Sequence, residues 1–281
     1  MREMMRVVAL VENSTAVPAC EGKHGLSLYL ETEKHRLLFD VGPNALFLEN
    51  AKRLGVDIAS VDAVILSHGH VDHAGGLEAF LSANQRARIY LRPTATEPHF
   101  IKVLGIPFYA GMNASLASGD RFVFTGAETK IDDELTVFSD VKGEMPLPAS
   151  DAKLFMRRAG RLMQDDFAHE QSLILTVDGK RVLLSGCSHA GIVNIQRRAE
   201  VVEGAKMDVV IGGFHLYNPP TRRYESPAYI RRTAEALSRT GSVYYTCHCT
   251  GKRACEQMKP VLGDRLRELH TGERLEPIRT V

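Results

Sequence analysis

Between His68 and His73 the chain places three histidines and an aspartate within six residues, in the stretch AVILSHGHVDHAGG at 63–76. Ala63, Val64, Ile65 and Leu66 form a short apolar run with β-branched members, the pattern of a strand covered on both faces. The run ends at Ser67, and Gly69, Gly75 and Gly76 let the backbone turn tightly before a helix that begins at about Leu77. His68, His70, Asp72 and His73 therefore sit at the C-terminal end of a strand, where α/β sheets build their sites. Imidazole and carboxylate are ligands of borderline divalent ions such as zinc, and three protein ligands per ion leave a position for water. The stretch predicts a metal site, not a solvated histidine-rich loop.

A chain of 281 residues is one large domain or two small ones. Hydrophobic content of 44% and charged content of 25% are those of a soluble globular protein. A formal net charge of +1 gives no electrostatic case for nucleic acid or an anionic membrane. Five cysteines, an odd number without framework spacing, argue against a disulfide-stapled secreted fold. The opening MREMMRVVALVEN has too short an apolar run for a signal peptide, and no stretch is long enough to span a bilayer. The expectation is a cytoplasmic protein with a small-molecule substrate; its oligomeric state is not legible.

In chain order, residues 6–11, 25–32 and 36–40 read as strands, the last two as a hairpin turning at Lys34-His35. A helix follows over 44–54. After the metal stretch come a helix over 77–83 and a short strand over 88–91. From 93 to 165 the periodicity weakens, with strand candidates at 121–124 and 135–138. MPLPAS (145–150) and RRAGRLMQDD (157–166) read there as exposed loop. This span is taken as an elaboration of a single 1–281 domain that covers the metal site, since long loops in compact proteins are usually lids or binding loops. Regularity returns with SLILTVDGKRVLLSGCSHAG (172–191), a hairpin turning at Asp178-Gly179 that delivers Cys187 and His189 to a loop. Further strands end at His215 and His248, helices cover 192–202, 227–238 and 252–262, and the tail offers two short strands. Four times a strand ends in a His-bearing loop before a helix, so a parallel or mixed sheet would bring these loops to one edge.

With those residues in view, the chain resembles the metallo-β-lactamase superfamily over nearly its whole length. LLFDVG (37–42), HGHVDHAGG (68–76), DGKRVLLSG (178–186) and a late strand ending in His carry the resemblance. It implies an α/β fold of four layers, an αββα sandwich, with a di-metal site along one edge. GCSHAG (186–191), GGFH (212–215) and CHCTG (247–251) are similar to a narrower group, named after 7,8-dihydropterin-6-methyl-4-(β-D-ribofuranosyl)aminobenzene-5′-phosphate synthase.

The resemblance implies His68 and His70 on a first ion, and Asp72, His73 and His248 on a second. Asp40 would orient the metal loop from behind. The departure follows the DGKRVLLSG hairpin, where many members carry an aspartate that bridges the ions. This chain has Cys187, with His189 two residues on; a thiolate can ligate zinc, and His189 can turn to the same ion. His169, in DDFAHEQS, competes with His189 for the first ion's third position. Two divalent ions are implied, zinc first and iron or manganese as alternatives. His215 is open between a site-wall residue, catalytic together with Asp72, and a packed strand-end histidine; His24 is a weaker wall candidate. His35, His99 and His270 are expected to be solvated. Strand alternation points Cys247 and Cys249 away from the side His248 faces, as core thiols.

Two ions sharing a water would lower its pKa toward neutrality and polarise a carbonyl or phosphoryl oxygen. Asp72 could orient that water or accept its proton. The leading expectation is a metal-dependent hydrolase of an ester, lactone or phosphodiester bond. A dihydropterin transferase, forming a C–N bond with release of pyrophosphate, is the second. Arg222, Arg223 and Lys252 would favour a phosphorylated substrate, or are solvated helix-start charges. A metal-dependent metabolite sensor without turnover is the third, and the full ligand set argues against it. Neither a G-x-S-x-G elbow nor a Rossmann glycine fingerprint is present.

Overall fold

The computed structural model describes residues 5–219 and 221–275. Strands Arg6–Val11, Ser27–Glu31 and Arg36–Phe39 pair antiparallel in succession. Ala63–Ile65, Arg88–Leu91 and Phe122–Phe124 then add in parallel, and Arg274–Leu275 closes the far edge of a seven-stranded sheet. A second seven-stranded sheet grows from the hairpin of Gln171–Val177 and Lys180–Ser185. Leu135–Ser139 and Glu128–Lys130 extend it antiparallel on one side. Val209–Gly212, Val243–Thr246 and Leu266–Glu268 extend it in parallel on the other.

Period-2 alternation divides each strand between two cores. Leu37 and Phe39 face the second sheet, where they meet Leu173, Leu175, Val182 and Leu184; Leu38, between them, faces outward to helices. Helices Leu46–Leu54 and Leu77–Ala83 cover that outer face with Phe47, Ala51, Leu77 and Phe80. Helices Ile192–Glu203, Pro227–Ser238 and Lys252–Leu262 cover the second sheet in the same way. The middle one begins at Ser226, whose hydroxyl accepts the Tyr229 N–H, with Pro227 pre-set for the first turn. The layers are helix, sheet, sheet, helix, as the resemblance implied. Truncating a core side chain such as the fully buried Phe39 would cost about 3–5 kcal/mol.

The 93–165 span differs from its sequence reading. His99–Val103, Ile106–Tyr109, Leu154–Arg158 and Arg161–Gln164 form a separate four-stranded antiparallel sheet. Residues 157–166, expected as exposed loop, are largely a hairpin turning at Ala159-Gly160, both with positive φ (49° and 76°). Its outer strand Arg161–Gln164 is exposed throughout, so no apolar alternation marks it in the sequence.

The parallel pairing aligns Ser185, Gly212 and Thr246 at one edge of the second sheet. There the Gln171 amide N–H donates to the Ser67 carbonyl, and the Gln171 side chain donates to the Leu66 and Tyr90 carbonyls (2.8 and 3.0 Å). The two sheets are thereby tied where the His-bearing loops converge. Among the described residues no helix is long and apolar enough to cross a membrane.

Candidate metal centre

Gly186 carries the chain from strand Lys180–Ser185 directly past the metal loop: a Cβ there would lie 2.2 Å from Ser67 Oγ, so only glycine fits. This approach brings Cys187 and His189 against His68–His73. The rings of His68, His70 and His189 group at centroid separations of 4.6, 5.1 and 5.1 Å. All three Nε2 atoms are buried without a hydrogen-bond partner.

Tautomers follow from the opposite nitrogens. Ser67 Oγ donates to Asp40 Oδ2 at 2.7 Å, so it accepts from His68 Nδ1 at 2.8 Å. His189 Nδ1 donates to Asp151 Oδ1 at 2.7 Å. Both rings therefore carry their lone pair on Nε2, aimed into the group. Buried lone pairs without a donor are costly, and a cation satisfies them.

A second group adjoins the first. His73 Nε2 lies 3.2 Å from Cys187 Sγ and 3.2 Å from His248 Nε2. Asp72 Oδ2 is 3.3 Å from His248 Nε2 and 3.7 Å from His73 Nε2. His73 Nδ1 donates to Asp40 Oδ2 at 2.6 Å, and His248 Nδ1 donates to Asn13 Oδ1 at 3.0 Å. The Asn13 amide is itself oriented, since its Nδ2 donates to the His248 carbonyl at 2.9 Å. Metal-ligand atoms of Asp72, His73, Cys187 and His248 all lie within 4.8 Å of one another, and so do those of His68, Cys187 and His189. Cys187 is common to both sets.

The electrostatics agree with a site built for cations. Burial, helped by the neighbouring rings, pushes His68 well down and His189 down to about 4. Burial works against the Asp72 carboxylate, but His73, His24 and His248 outweigh it and keep its pKa well below the usual range. Burial also opposes charge on His73, yet Asp40 and Asp72 raise it to about 9. Burial pushes the Cys187 thiol well up. Asp40, Phe167, Ser188, His215 and His248, all at the site, adopt positive φ between 50° and 65°. Such strain in non-glycine residues gathers at functional sites.

His169 lies beside these sets in a different role. The Gly69 N–H donates to its Nδ1 at 3.0 Å, so the ring proton sits on Nε2, which faces Asp165 Oδ1 at 3.3 Å. His70, His99, Asp165 and His169 are within ligand reach of one another, but the Gly69 amide occupies the His169 lone pair. His169 thus struts the metal loop from below.

The expectations for His99 and Cys249 are corrected. His99, read as solvated, is fully buried and donates from Nδ1 to Asp165 Oδ2 at 2.9 Å, because it starts the inward face of its strand. Cys249 does not follow strand alternation, since the strand ends at Thr246 and His248–Thr250 is a tight helical turn. Its thiol donates to the Cys187 carbonyl at 3.4 Å and groups with His215 and Cys187.

His215 is buried at the site wall, its Nε2 3.1 Å from Asp151 Oδ1 and its ring 4.3 Å from that of His189. His24 stacks on His248 at 4.7 Å and reaches Asp72 at 3.3 Å. His35 lies between Asp62 and Asp132, and His270 meets the Ser14 hydroxyl, so neither is simply solvated. Arg222 and Arg223 are exposed; Lys252 lines a cavity of about 350 Å³ with His248, Tyr217 and Tyr224. Sequence reasoning missed Asn13, Asp151, Asp165 and Glu170. Only Asn13, at the end of the first strand, carried a local signal.

The family model for the metallo-beta-lactamase superfamily matches residues 21–201. The chain belongs to this superfamily. It is 30% identical over 274 residues to the 7,8-dihydropterin-6-methyl-4-(beta-D-ribofuranosyl)-aminobenzene-5′-phosphate synthase of Methanocaldococcus jannaschii, with 89% of each chain covered. It is similar to the solved structure of Tm1679, described as a metal-dependent hydrolase of the beta-lactamase superfamily, at 29% identity and a TM-score of 0.83. That match covers 97% of this chain and 98% of the other. Zn²⁺-bound PqqB from Methylobacterium extorquens shares the fold at 14% identity and a TM-score of 0.55, over 96% of this chain and 99% of its own. A metallo-β-lactamase-fold enzyme is typically dependent on divalent metal, and the His, Asp and Cys groups here could hold it.

Proposed function

We propose that this metallo-β-lactamase-fold enzyme is a hydrolase that holds two divalent ions and cleaves an ester, lactone or phosphodiester bond of a small molecule. The observation that carries this reading is Cys187, within ligand reach of two histidine sets at once. His68, His70 and His189 would hold the first ion, Asp72, His73 and His248 the second, with the Cys187 thiolate between them. Nitrogen and sulfur donors suit zinc, with iron and manganese next. Divalent ions held by these residues would activate water as a nucleophile and polarise the oxygen of the scissile group.

The chain's own groups supply the rest. Asp72, the more accessible carboxylate at 20% side-chain exposure, orients the attacking water. His215, against the His189 ring and Asp151, is the proton carrier and serves the leaving group. Lys252, in the cavity beside His248, favours a substrate with an anionic group.

Metal content per chain, followed by a screen of phosphodiesters, lactones and esters, tests the proposal. Two ions and turnover of one class support it. One ion or none overturns the di-metal site; two ions with tight binding of one metabolite and no turnover would mark a sensor instead.

A second reading is favoured by the 30% identity to the dihydropterin-linked synthase. An arylamine would then replace water as nucleophile, with pyrophosphate as the leaving group. Pyrophosphate release that requires the arylamine acceptor would establish the synthase; release without it would establish hydrolysis.

A further inference from the structure

His68, His73 and His248 each have an acceptor behind the ring that aims the Nε2 lone pair. Ser67 and Asp40 serve His68 and His73, and Asn13 serves His248. For His189 the acceptor is Asp151, which no motif marks and which lies in the span read as a cover for the site. We propose that Asp151 is the positioning residue of the first metal set: it fixes the tautomer and direction of His189 and, through the same oxygen, holds His215 beside it.

Asp151 Oδ1 accepts from His189 Nδ1 at 2.7 Å and lies 3.1 Å from His215 Nε2. The carboxylate is 5% exposed, and its Oδ2 is buried without a partner. Its side chain therefore has no solvent role. Phe167 stacks on the other face of this arrangement, 4.4 Å from the His189 ring and 11° from parallel, so ring plane and ring tautomer are set by different residues.

The backbone carrying Asp151 is strapped from several sides. Asn194 exchanges hydrogen bonds with Met145, and the Tyr229 hydroxyl donates to the Pro146 carbonyl at 2.8 Å. The Ser150 N–H donates to Glu225 Oε1 at 2.8 Å, and Gln164 Nε2 donates to the Asp151 carbonyl at 2.8 Å. A segment that only covered the site would not need so many fixed points beneath one carboxylate. The 145–153 segment thereby takes part in building the first metal set, and a carboxylate behind a ligating histidine orients it and raises its basicity.

This inference rests on the assignment of His189 to the first ion. The test is a titration of the metal-free full chain with Zn²⁺ against a competing chelator, alongside thermal unfolding without metal. In Asp151→Ala one of two binding steps weakens by roughly 10- to 100-fold while the other is unchanged. Asp151→Asn keeps an acceptor for His189 Nδ1 and recovers most of that affinity. In a His189→Ala background the Asp151→Ala change adds no further loss at that step. Unchanged steps in Asp151→Ala, or an equal weakening of both together with a lower unfolding temperature, would overturn the proposal and leave the di-metal reading standing. A wild-type chain that takes up no second ion overturns the di-metal reading itself.

Discussion

The Nε2 atoms of His73 and His248 face each other at 3.2 Å, while Asp40 and Asn13 take the Nδ1 protons of the two rings. Two lone pairs at that separation repel, and a cation between them turns the contact favourable. Without metal a proton fills that role: against burial, Asp40 and Asp72 hold His73 at about 9.

Metal uptake must then expel protons. At pH 7 about one comes from His73 and about one from the Cys187 thiol, which burial keeps protonated. Calorimetric titration in buffers of different ionisation heat should count about two protons per chain. His73→Ala should remove one of them and leave one ion bound. Below about pH 9 each of these two protons should weaken apparent affinity at this set about tenfold per pH unit, about a hundredfold together. A count near zero would contradict the shared Cys187 and the His73 geometry.

Cys187 stands where the resemblance implies an aspartate in many members of the superfamily, and its sulfur lies 3.2 Å from His73 Nε2. Sulfur biases the centre toward zinc, whereas oxygen suits manganese and magnesium. Cys187→Asp should keep two ions per chain but shift preference from zinc toward manganese, read by competition with equal concentrations of both. Cys187→Ala should lose affinity for both metals.

Asp165 is a buried carboxylate beneath the metal loop. It accepts from His99 Nδ1 and the Phe167 N–H, both at 2.9 Å, and faces His169 Nε2 at 3.3 Å. His169 in turn takes the Gly69 N–H, so the network ends on the backbone between two metal-facing histidines. Asp165→Ala should lower unfolding stability by about 1–3 kcal/mol for each buried donor it leaves unpaired. It should also weaken metal binding. Denaturant unfolding of the metal-free variant checks the first, and chelator competition the second.

Glu170 accepts the His189 and Ala190 N–H groups at 2.7 and 2.8 Å. Burial, with Asp151 adding to it, still pushes its carboxyl up to about 7. The folded state therefore keeps a proton that the unfolded state has lost between about pH 4.5 and about pH 7. Stability of the metal-free protein should fall as pH rises through that window, by up to about 3 kcal/mol from this group. In Glu170→Gln that contribution disappears. Urea unfolding of both proteins at pH 5 and pH 7.5 gives the difference; an identical pH dependence in the two would refute the assignment.

The sequence by itself supplied the strands and hairpins, the turn at Asp178-Gly179 among them, and its resemblance to the metallo-β-lactamase superfamily supplied their four-layer arrangement. It also placed His68, His70, Asp72 and His73 together, since six residues on one turn cannot separate far. The short sheet over 93–165 escaped it because an exposed edge strand such as Arg161–Gln164 carries no apolar period.

Tertiary structure alone decided which ring nitrogens the competing histidines leave free. His169 competes with His189 in the sequence, but a ring can offer a lone pair only on the nitrogen that its partner leaves free. Those partners lie far along the chain: Gly69 is 100 residues from His169, Asp151 is 38 from His189, and Asn13 is 235 from His248. A tautomer is a property of the hydrogen bond and not of the residue, so no local pattern records it.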